Sequence, residues 1–318
     1  MLNLKDAFDL FIENRETYCS DATVKNYRNT ITYFIKYIVM KKGVKKSDDI
    51  DITDITIHDL NAYSIILKTR IKNEDNPFCT SGKEIISSRT RKDYLKDVVS
   101  FFNFLFDYEY ISDNPCKRLK FPRVEVQPIE VLTIPEVEKI DGCFSLTSFY
   151  GIRNLAMIHM LLDEGLRSGE IQRLKYKDVH FEENYIVIRN SKGGKGRILP
   201  LATVPRDYLT KYLKFRTDIK PDDYVFTDKK GNGLTENSVK CVFQRLKIKS
   251  EVTRVYPHLL RHTFATSFIL GGGSLEVLRI YMGHSSIETT QKYLHLANNL
   301  QFMKNVYPLD ECFLKRFY

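Results

Sequence analysis

A basic stretch without helical periodicity, residues 117–128, divides the chain into two blocks. Asn114-Pro115 ends the helical pattern before it, because proline lacks a backbone donor and restricts the preceding residue. The stretch itself contains Pro122 and Pro128. A length of 318 residues is enough for about two domains. The sequence therefore predicts a first domain at 1–116, a linker at 117–129 and a second domain, with a C-terminal tail, at 130–318.

The first domain shows helical periodicity along its whole length. Apolar residues from Val24 to Ile38 share one face, with Ser20 or Asp21 as a cap and Gly43 as a stop. Two further amphipathic helices are predicted at 56–70 and 87–108. The last of these carries a group of cations in its first half: Arg89, Arg91, Lys92 and Lys96. They would lie on DNA phosphates if this helix binds DNA, and would otherwise form an ordinary solvated face.

The second domain is predicted to be mainly helical with one β-hairpin. A cap at Thr133 followed by Pro135 begins its first helix, and Gly165 ends a second, largely apolar one at 150–164. Two apolar runs, 185–188 and 197–201, are predicted as hairpin strands joined by a glycine-rich loop. Five further helices are predicted at 204–215, 235–248, 259–270, 274–281 and 286–296. The fold class is thus mainly α with a small β element.

The charge balance favours a polyanionic partner. The chain has 49 Lys and Arg residues against 40 Asp and Glu residues, a formal net charge of +9. Nucleic acid is the most common partner for such a balance, although charge also serves solubility. Six scattered cysteines without a C-x-x-C pair favour neither a zinc ribbon nor a disulfide framework. No apolar run reaches the roughly 18 residues of a membrane span, so we expect a soluble, intracellular protein.

Three short motifs contain side chains suited to phosphoryl transfer. Arg167 follows Gly165 and precedes a short helix, where free backbone N–H groups also favour an anion, although pairing with Glu170 alone would explain it. His258, Arg261 and His262 fall on one helix face at i, i+3 and i+4. His284 follows Gly283 and lies nine residues before Tyr293.

Other roles are open for His258, His262 and Tyr293. The H-x-x-x-H spacing of His258 and His262 also occurs in zinc sites, but Leu259 stands where a zinc protease has glutamate. For His262 we favour a core role. The chain has 19 tyrosines, and only its position behind Gly-His selects Tyr293.

The sequence from about Thr133 to His295 resembles the tyrosine recombinases, the phage integrase-like family. Four boxes in order support the resemblance: Gly-Leu-Arg-Ser-Gly-Glu at 165–170, Ser-Lys-Gly-Gly-Lys-Gly-Arg at 191–197, His-Leu-Leu-Arg-His-Thr-Phe-Ala-Thr at 258–266, and Met-Gly-His-Ser-Ser-Ile-Glu-Thr-Thr-Gln-Lys-Tyr at 282–293. The chain departs from many relatives at Ser267, where they have histidine, and in the glycine-rich turn 271–273.

The resemblance implies a role for each matching residue. Tyr293 would attack the scissile phosphate and form a 3′-phosphotyrosyl bond, while Arg167 and Arg261 hold the non-bridging oxygens. Lys192 would protonate the leaving 5′-oxygen, with Lys195 as the fallback. His258 would assist proton transfer, and His284 would bond the phosphate. Glu170 and His262 would support the site, and Lys195 and Arg197 would also contact DNA. No metal and no cofactor are implied.

The resemblance also implies an architecture and partners. A SAM-like helical core-binding domain and a catalytic domain would form a C-shaped clamp on double-stranded DNA. Four protomers would act on two duplexes, with a monomer or weak dimer when free. The setting would be the cytoplasm, at the nucleoid and away from membranes, and an accessory protein or sister recombinase remains open as a partner. The rivals are a type IB topoisomerase, a hairpin-forming resolvase and a non-catalytic DNA-binding relative. Integration, excision, inversion and dimer resolution are not distinguished.

Overall fold

The computed structural model describes residues 2–72, 84–125, 130–189 and 196–306. The chain separates into two compact units, Met1–Gln127 and Pro128–Tyr318, and the division falls inside the predicted linker. None of the helices in the described part combines the length and apolar composition needed to cross a membrane.

In its described residues, 2–72 and 84–125, the first unit is built from four α-helices and short 3₁₀ turns. The helices are α1 (Leu4–Glu16), α2 (Asp21–Lys42), α3 (Ile57–Ile66) and α4 (Ser88–Asp107). The predicted ends of α2 are confirmed: the Ser20 hydroxyl accepts from the Thr23 N–H, and Gly43 adopts φ 68°. The helix predicted at 56–70 ends earlier, at Ile66, and the backbone then turns.

Aromatic rings hold the helices of the first unit together. Phe11 of α1 meets Tyr27 of α2 and Phe101 of α4 edge-to-face, at ring-centroid distances of 5.2 and 5.4 Å. Such contacts add about 0.5–1.5 kcal/mol each beyond area burial. The apolar face of α4 is therefore buried, and its cationic first half lies toward its other faces. Arg89 and Lys96 are exposed there, and Arg91 and Lys92 are half-buried.

The second unit contains eight helices and a small sheet within its described residues. Its helices are α5 (Ile134–Asp141), α6 (Phe149–Leu162), α7 (Ser168–Arg173), α8 (Thr203–Leu213), α9 (Glu236–Ser250), α10 (Pro257–Leu270), α11 (Leu275–Met282) and α12 (Glu288–Val306). The strands are β1 (Val179–His180), β2 (Tyr185–Ile188) and β3 (Arg197–Pro200). The mainly α class with a small β element is confirmed.

The sheet is antiparallel with the order β1-β2-β3. The predicted hairpin is present, with Ile186 opposite Leu199, and both side chains enter the core. The short strand β1 is a third strand that was not predicted, because two residues are too few to show alternation. The glycine-rich connection at 190–195 lies outside the described residues.

Helix α6 forms the centre of the second unit. All residues from Leu155 to Leu162 are buried, and the helix packs against α8 on one side and α10 on another. Helix α10 in turn packs against α12. This arrangement places the end of α6, the start of α10 and the first turns of α12 in one region, where the candidate site is found.

Candidate active site

Arg167 is held at the junction between α6 and α7. Gly165 adopts φ 57°, and a Cβ there would come within 2.4 Å of the Phe264 ring, so only glycine fits this turn. Arg167 then caps α7, and its N–H donates to the Glu170 carboxylate over 2.8 Å. Its guanidinium donates to the same carboxylate over 3.0 Å and to the Gly283 carbonyl over 2.8 Å. Arg167 therefore both pairs with Glu170 and lies in the candidate site.

Glu170 is the buried anion of the site. Its side chain is 1% exposed and accepts two hydrogen bonds from Arg197, at 2.8 and 2.9 Å. Burial alone would raise its pKa, but the bonds and charge of Arg197, with those of Arg167, lower the pKa to about 2. The carboxylate stays ionised and fixes both guanidinium groups.

Arg197, which the sequence predicts to contact DNA, has its side chain buried against Glu170. Its side chain is only 6% exposed, and its Nε–H donates to the Tyr281 carbonyl over 2.7 Å, so three of its five N–H groups are bonded within the cluster. A planar five-donor fork that is buried against a carboxylate has little left for a phosphate in solvent. Arg197 therefore braces Glu170 from β3, a contact between residues 27 positions apart.

Arg261 lies at the centre of the cluster. It is 3% exposed, and its guanidinium donates to the carbonyls of Gly165 and Met282. Burial and the nearby charge of Arg167 lower its pKa. Backbone carbonyls from the turn after α6 and from the end of α11 thus orient the group, and no carboxylate within the described part of the chain forms an ion pair with it.

The backbone carbonyls of residues 281–283 accept hydrogen bonds from all three arginines of the cluster. The carbonyls of Tyr281, Met282 and Gly283 accept from Arg197, Arg261 and Arg167, in that order. Gly283 adopts φ 61°, and a Cβ there would lie 3.1 Å from Arg197 and 3.3 Å from Arg167. Glycine is required at this position both by the backbone conformation and by the close approach of the two cations.

His284 stands beside Arg261 with its orientation fixed. Its Nδ1 is 2.8 Å from the hydroxyl of the fully buried Thr290, and its Nε2 is 3.4 Å from an Arg261 nitrogen. Burial and the charges of Arg261 and Arg167 lower its pKa to about 3. The imidazole is therefore neutral near pH 7.

Tyr293 projects from α12 into the same cluster. It is 1% exposed, and its ring lies 6.4 Å from the His284 ring, centroid to centroid. Its hydroxyl is 2.7 Å from Nδ1 of His262. Burial raises the Tyr293 pKa to about 12, against the opposing charges of Arg261 and Arg167.

His262 has a more specific position than the core role favoured from sequence. Burial and the nearby Lys292 lower its pKa to about 4, so the ring is neutral near pH 7. A neutral ring with its proton on Nε2 accepts a hydrogen bond from the Tyr293 hydroxyl at Nδ1. His258 is the second residue of α10 and is exposed, and its ring lies 6.3 Å from the His262 ring, centroid to centroid.

The remaining predicted site residues lie elsewhere. Lys192 and Lys195 fall outside the described residues. Arg89, Arg91, Lys92 and Lys96 belong to the first unit, on α4, where Arg91 donates to the Ser88 hydroxyl over 2.7 Å. Among the residues that the structure describes, no group of three or more His, Cys, Asp or Glu side chains is arranged to hold a metal ion.

The cluster combines a phenol, two oriented arginines and neutral imidazoles in a largely buried setting. Arginines there are suited to bind a tetrahedral anion, and a fixed cationic environment stabilises charge that develops during transfer of a phosphoryl group. The phenol is the nucleophile that this set offers.

Comparisons with known proteins agree with this chemistry. Residues 131–299 match the phage integrase family. The chain is 28% identical to tyrosine recombinase XerD of Listeria monocytogenes over 281 residues, covering 86% of this chain and 88% of the relative. It is 27% identical to tyrosine recombinase XerC of Bacillus licheniformis, covering 94% and 95%.

Solved structures share the fold. The Tn1549 transposon integrase in complex with a circular intermediate DNA has a TM-score of 0.69 at 19% identity, covering 90% of this chain and 94% of that one. A lambda integrase dimer bound to a COC′ core site has a TM-score of 0.67 at 18% identity, covering 92% and 95%. The chain therefore belongs to the phage integrase family and is a site-specific tyrosine recombinase.

Proposed function

We propose that Tyr293 is the nucleophile that cuts and rejoins DNA in this recombinase. Its hydroxyl oxygen attacks the scissile phosphorus, the bond to the 5′-oxygen breaks, and a 3′-phosphotyrosyl bond forms. The released 5′-hydroxyl of another strand reverses the step, so the bond energy is conserved. The position of the Tyr293 hydroxyl, beside His262 and in one cluster with His284 and Arg261, supports this assignment above all.

The two arginines are proposed to bind the non-bridging oxygens of the phosphate. Arg167 and Arg261 carry charge at the site, and their orientation is fixed by backbone carbonyls rather than by the incoming anion. A pre-oriented cation costs no reorganisation during the reaction. Glu170 and Arg197 brace Arg167, and His284 faces the phosphate beside Arg261.

Proton transfers are assigned to residues at the rim. Lys192 is proposed to protonate the leaving 5′-oxygen, with Lys195 as the alternative. His258, exposed at the start of α10, assists from the protein surface. His262 accepts the hydrogen bond of the Tyr293 hydroxyl and positions the nucleophile.

DNA is the proposed partner of both units. Helix α4 of the first unit presents Arg89 and Lys96 to solvent, and the net charge of +9 favours a polyanion. We propose that each of the two units contacts the DNA duplex and that the basic stretch at 117–129 joins them. Four protomers would act on two duplexes at the nucleoid in the cytoplasm, a monomer or weak dimer being the free form, with accessory proteins or a sister recombinase as additional partners.

The function is tested by trapping the covalent intermediate. Wild type and Tyr293→Phe are incubated with fragmented genomic DNA of the source cell carrying nicks, which prevent religation. SDS-resistant protein–DNA adducts are then isolated. We expect an adduct with wild type only, unchanged by chelator, and sequencing of the attached DNA identifies the site.

Other outcomes have distinct meanings. An adduct that still forms with Tyr293→Phe would show that Tyr293 is not the nucleophile. DNA binding without any adduct in wild type contradicts strand cleavage by the protein alone. Recombinant products from two copies of the recovered site separate a recombinase from a topoisomerase, which only relaxes DNA.

A further inference from the structure

Glu164 is a buried carboxylate that the proposed mechanism does not use. It is 1% exposed and lies directly before Gly165 at the end of α6. Its Oε2 accepts from the Tyr281 hydroxyl over 2.6 Å, and its Oε1 accepts from the Ala202 N–H over 2.6 Å. Three separate segments meet at this one carboxylate: the end of α6, the last turn of α11, and the chain between β3 and α8.

The two side chains lie next to the carbonyls that orient Arg261. Glu164 precedes Gly165, and Tyr281 precedes Met282, and the Gly165 and Met282 carbonyls both accept from Arg261. The Tyr281 carbonyl accepts from Arg197, and the Gly283 carbonyl accepts from Arg167. A bond between Glu164 and Tyr281 therefore fixes the spacing of the backbone segments that set all three arginines.

Tyr281 is held on its other side by packing. Its ring lies 5.1 Å from Phe264 and 6.2 Å from Phe268, both on α10. Phe264 also fills the space against Gly165. The ring contacts fix the plane of Tyr281, and the hydroxyl bond to Glu164 fixes its position along the α6 end.

We propose that Glu164, through its hydrogen bond to Tyr281, is a positioning residue that sets the geometry of Arg167 and Arg261 for phosphate binding. The inference rests on the proposed function of the arginine pair. In the ionised form both carboxylate oxygens accept, and the bonds are charge-assisted. In the protonated form the charge assistance is lost, and a proton on Oε2 competes with the Tyr281 hydroxyl for the donor role.

The titration of this carboxyl gives the proposal a signature. Burial, together with the neighbouring Asp163, raises the Glu164 pKa to about 7, although the bonds from Tyr281 and Ala202 oppose the rise. The charged groups around Tyr281 are Glu164 and Arg197. The site histidines titrate lower: the pKa of His262 is about 4, that of His284 about 3, and partial desolvation with Arg261 and Arg167 lowers that of His258.

The experiment compares wild type, Glu164→Gln and Tyr281→Phe. Glutamine keeps the shape and an acceptor for Ala202 without titrating, and phenylalanine keeps the ring packing without the hydroxyl. Tyr212→Phe is the matched control, since Tyr212 is fully buried in the same unit and its hydroxyl bonds Thr227 instead. Single-turnover adduct formation is measured between pH 6 and pH 8.5 on a nicked duplex of the recovered site.

A misplaced reacting group costs up to about 100-fold in rate, so we expect Glu164→Gln and Tyr281→Phe to cleave about 10- to 100-fold more slowly at pH 8. Wild-type cleavage should rise through pH 7, whereas both variants should lack that rise and approach wild type at pH 6. Tyr212→Phe should keep the wild-type profile. Equal rates and equal profiles in all four proteins would overturn the proposal, as would loss of rate with the pH 7 inflection retained in Glu164→Gln.

A second readout requires neither DNA nor Tyr293. Sulfate, which does not titrate in this range, is added to protein with ¹⁵N-labelled arginine, and the Nε–H signals of Arg167 and Arg261 are followed by NMR. Weaker sulfate binding by Glu164→Gln and Tyr281→Phe at pH 8, with equal binding at pH 6, supports the proposal even if no adduct forms and the proposed strand cleavage fails. Sulfate affinities that match wild type at both pH values contradict it.

Discussion

The hydroxyl of Tyr293 lies 2.7 Å from Nδ1 of His262, a contact between the second turns of α10 and α12. Burial keeps the phenol protonated and the imidazole neutral near pH 7, with pKa values of about 12 and about 4. The pair is therefore a neutral hydrogen bond that holds the nucleophile in one orientation. An imidazole with so low a pKa is a weak base, so its main contribution should be positional.

Replacement of His262 tests this positional role. We expect His262→Ala to slow adduct formation about 10- to 100-fold, because the Tyr293 hydroxyl loses the acceptor that orients it. His262→Asn places an amide oxygen near the position of Nδ1 and should recover most of the rate. Single-turnover cleavage is measured from pH 6 to pH 8, where His262 stays neutral and the ratio to wild type should be constant. A rate as low in His262→Asn as in His262→Ala would instead indicate a role as base.

Most residues of the candidate cluster could be predicted from the sequence because they follow local backbone rules. A glycine at an α6 end, Arg167 at the next helix start, and His258 and Arg261 one turn apart are set by backbone conformation within a few residues. The sequence could not locate the bonds between Glu170 and Arg197 or between His262 and Tyr293. These join residues 27 and 31 positions apart, and only the packing of β3, α7, α10 and α12 brings them together.

The same limit applies to roles. Arg197 follows a run of lysines and glycines, so its sequence context indicated a surface cation, yet its side chain enters the core beside Glu170. Glu164 gave no signal at all, because its partner Tyr281 is 117 positions away. Long-range hydrogen bonds of buried polar groups become visible only once the tertiary fold is known.

Glu170 should be required for the stability of the second unit. Removing one partner of a buried ion pair leaves the other charge uncompensated and costs about 3–5 kcal/mol, so we expect Glu170→Gln to lower the free energy of unfolding by this amount. The change in the free energy of unfolding is measured from the urea transition of the second unit. Glu16→Gln is the contrast, because Glu16 pairs with Arg28 at the surface and should change stability by less than about 1 kcal/mol. Equal effects of the two substitutions would contradict the buried pair.

The Glu170 pair should also set acid sensitivity. The folded carboxyl has a pKa of about 2, below the ordinary 4.5, so the folded state binds fewer protons than the unfolded state in this window. Its contribution is present above about pH 4.5 and is lost as pH falls from there toward 2. The unfolding free energy of wild type should therefore drop faster than that of Glu170→Gln between pH 5 and pH 3. Parallel curves for the two proteins would argue against the depressed pKa.

DNA affinity should report the cations of α4. Each phosphate contact releases counterions, so loss of one contact lowers the slope of log affinity against log salt by about 1. We expect this change for Arg89→Ala and for Lys96→Ala, both exposed on α4, measured by fluorescence anisotropy on a labelled duplex from 50 to 200 mM NaCl. Lys5→Ala removes one cation from α1, where Lys5 pairs with Asp9, and should leave the slope unchanged. A uniform change in all three variants would indicate only the net charge.

Ionised Glu164, the form proposed to position the arginines, should make the second unit less stable than protonated Glu164 does. Its folded pKa of about 7 lies above the ordinary 4.5, so the folded state binds more protons between these values and stability falls as pH rises from 4.5 to 7. A shift of this size amounts to about 3 kcal/mol. Glu164→Gln does not titrate, so it should match wild type near pH 5 and exceed it at pH 8 in urea unfolding. A variant that is more stable but cleaves more slowly would show that the wild-type carboxylate lowers stability while it supports cleavage. A wild type as stable as Glu164→Gln at both pH values would place the carboxyl pKa near its ordinary value.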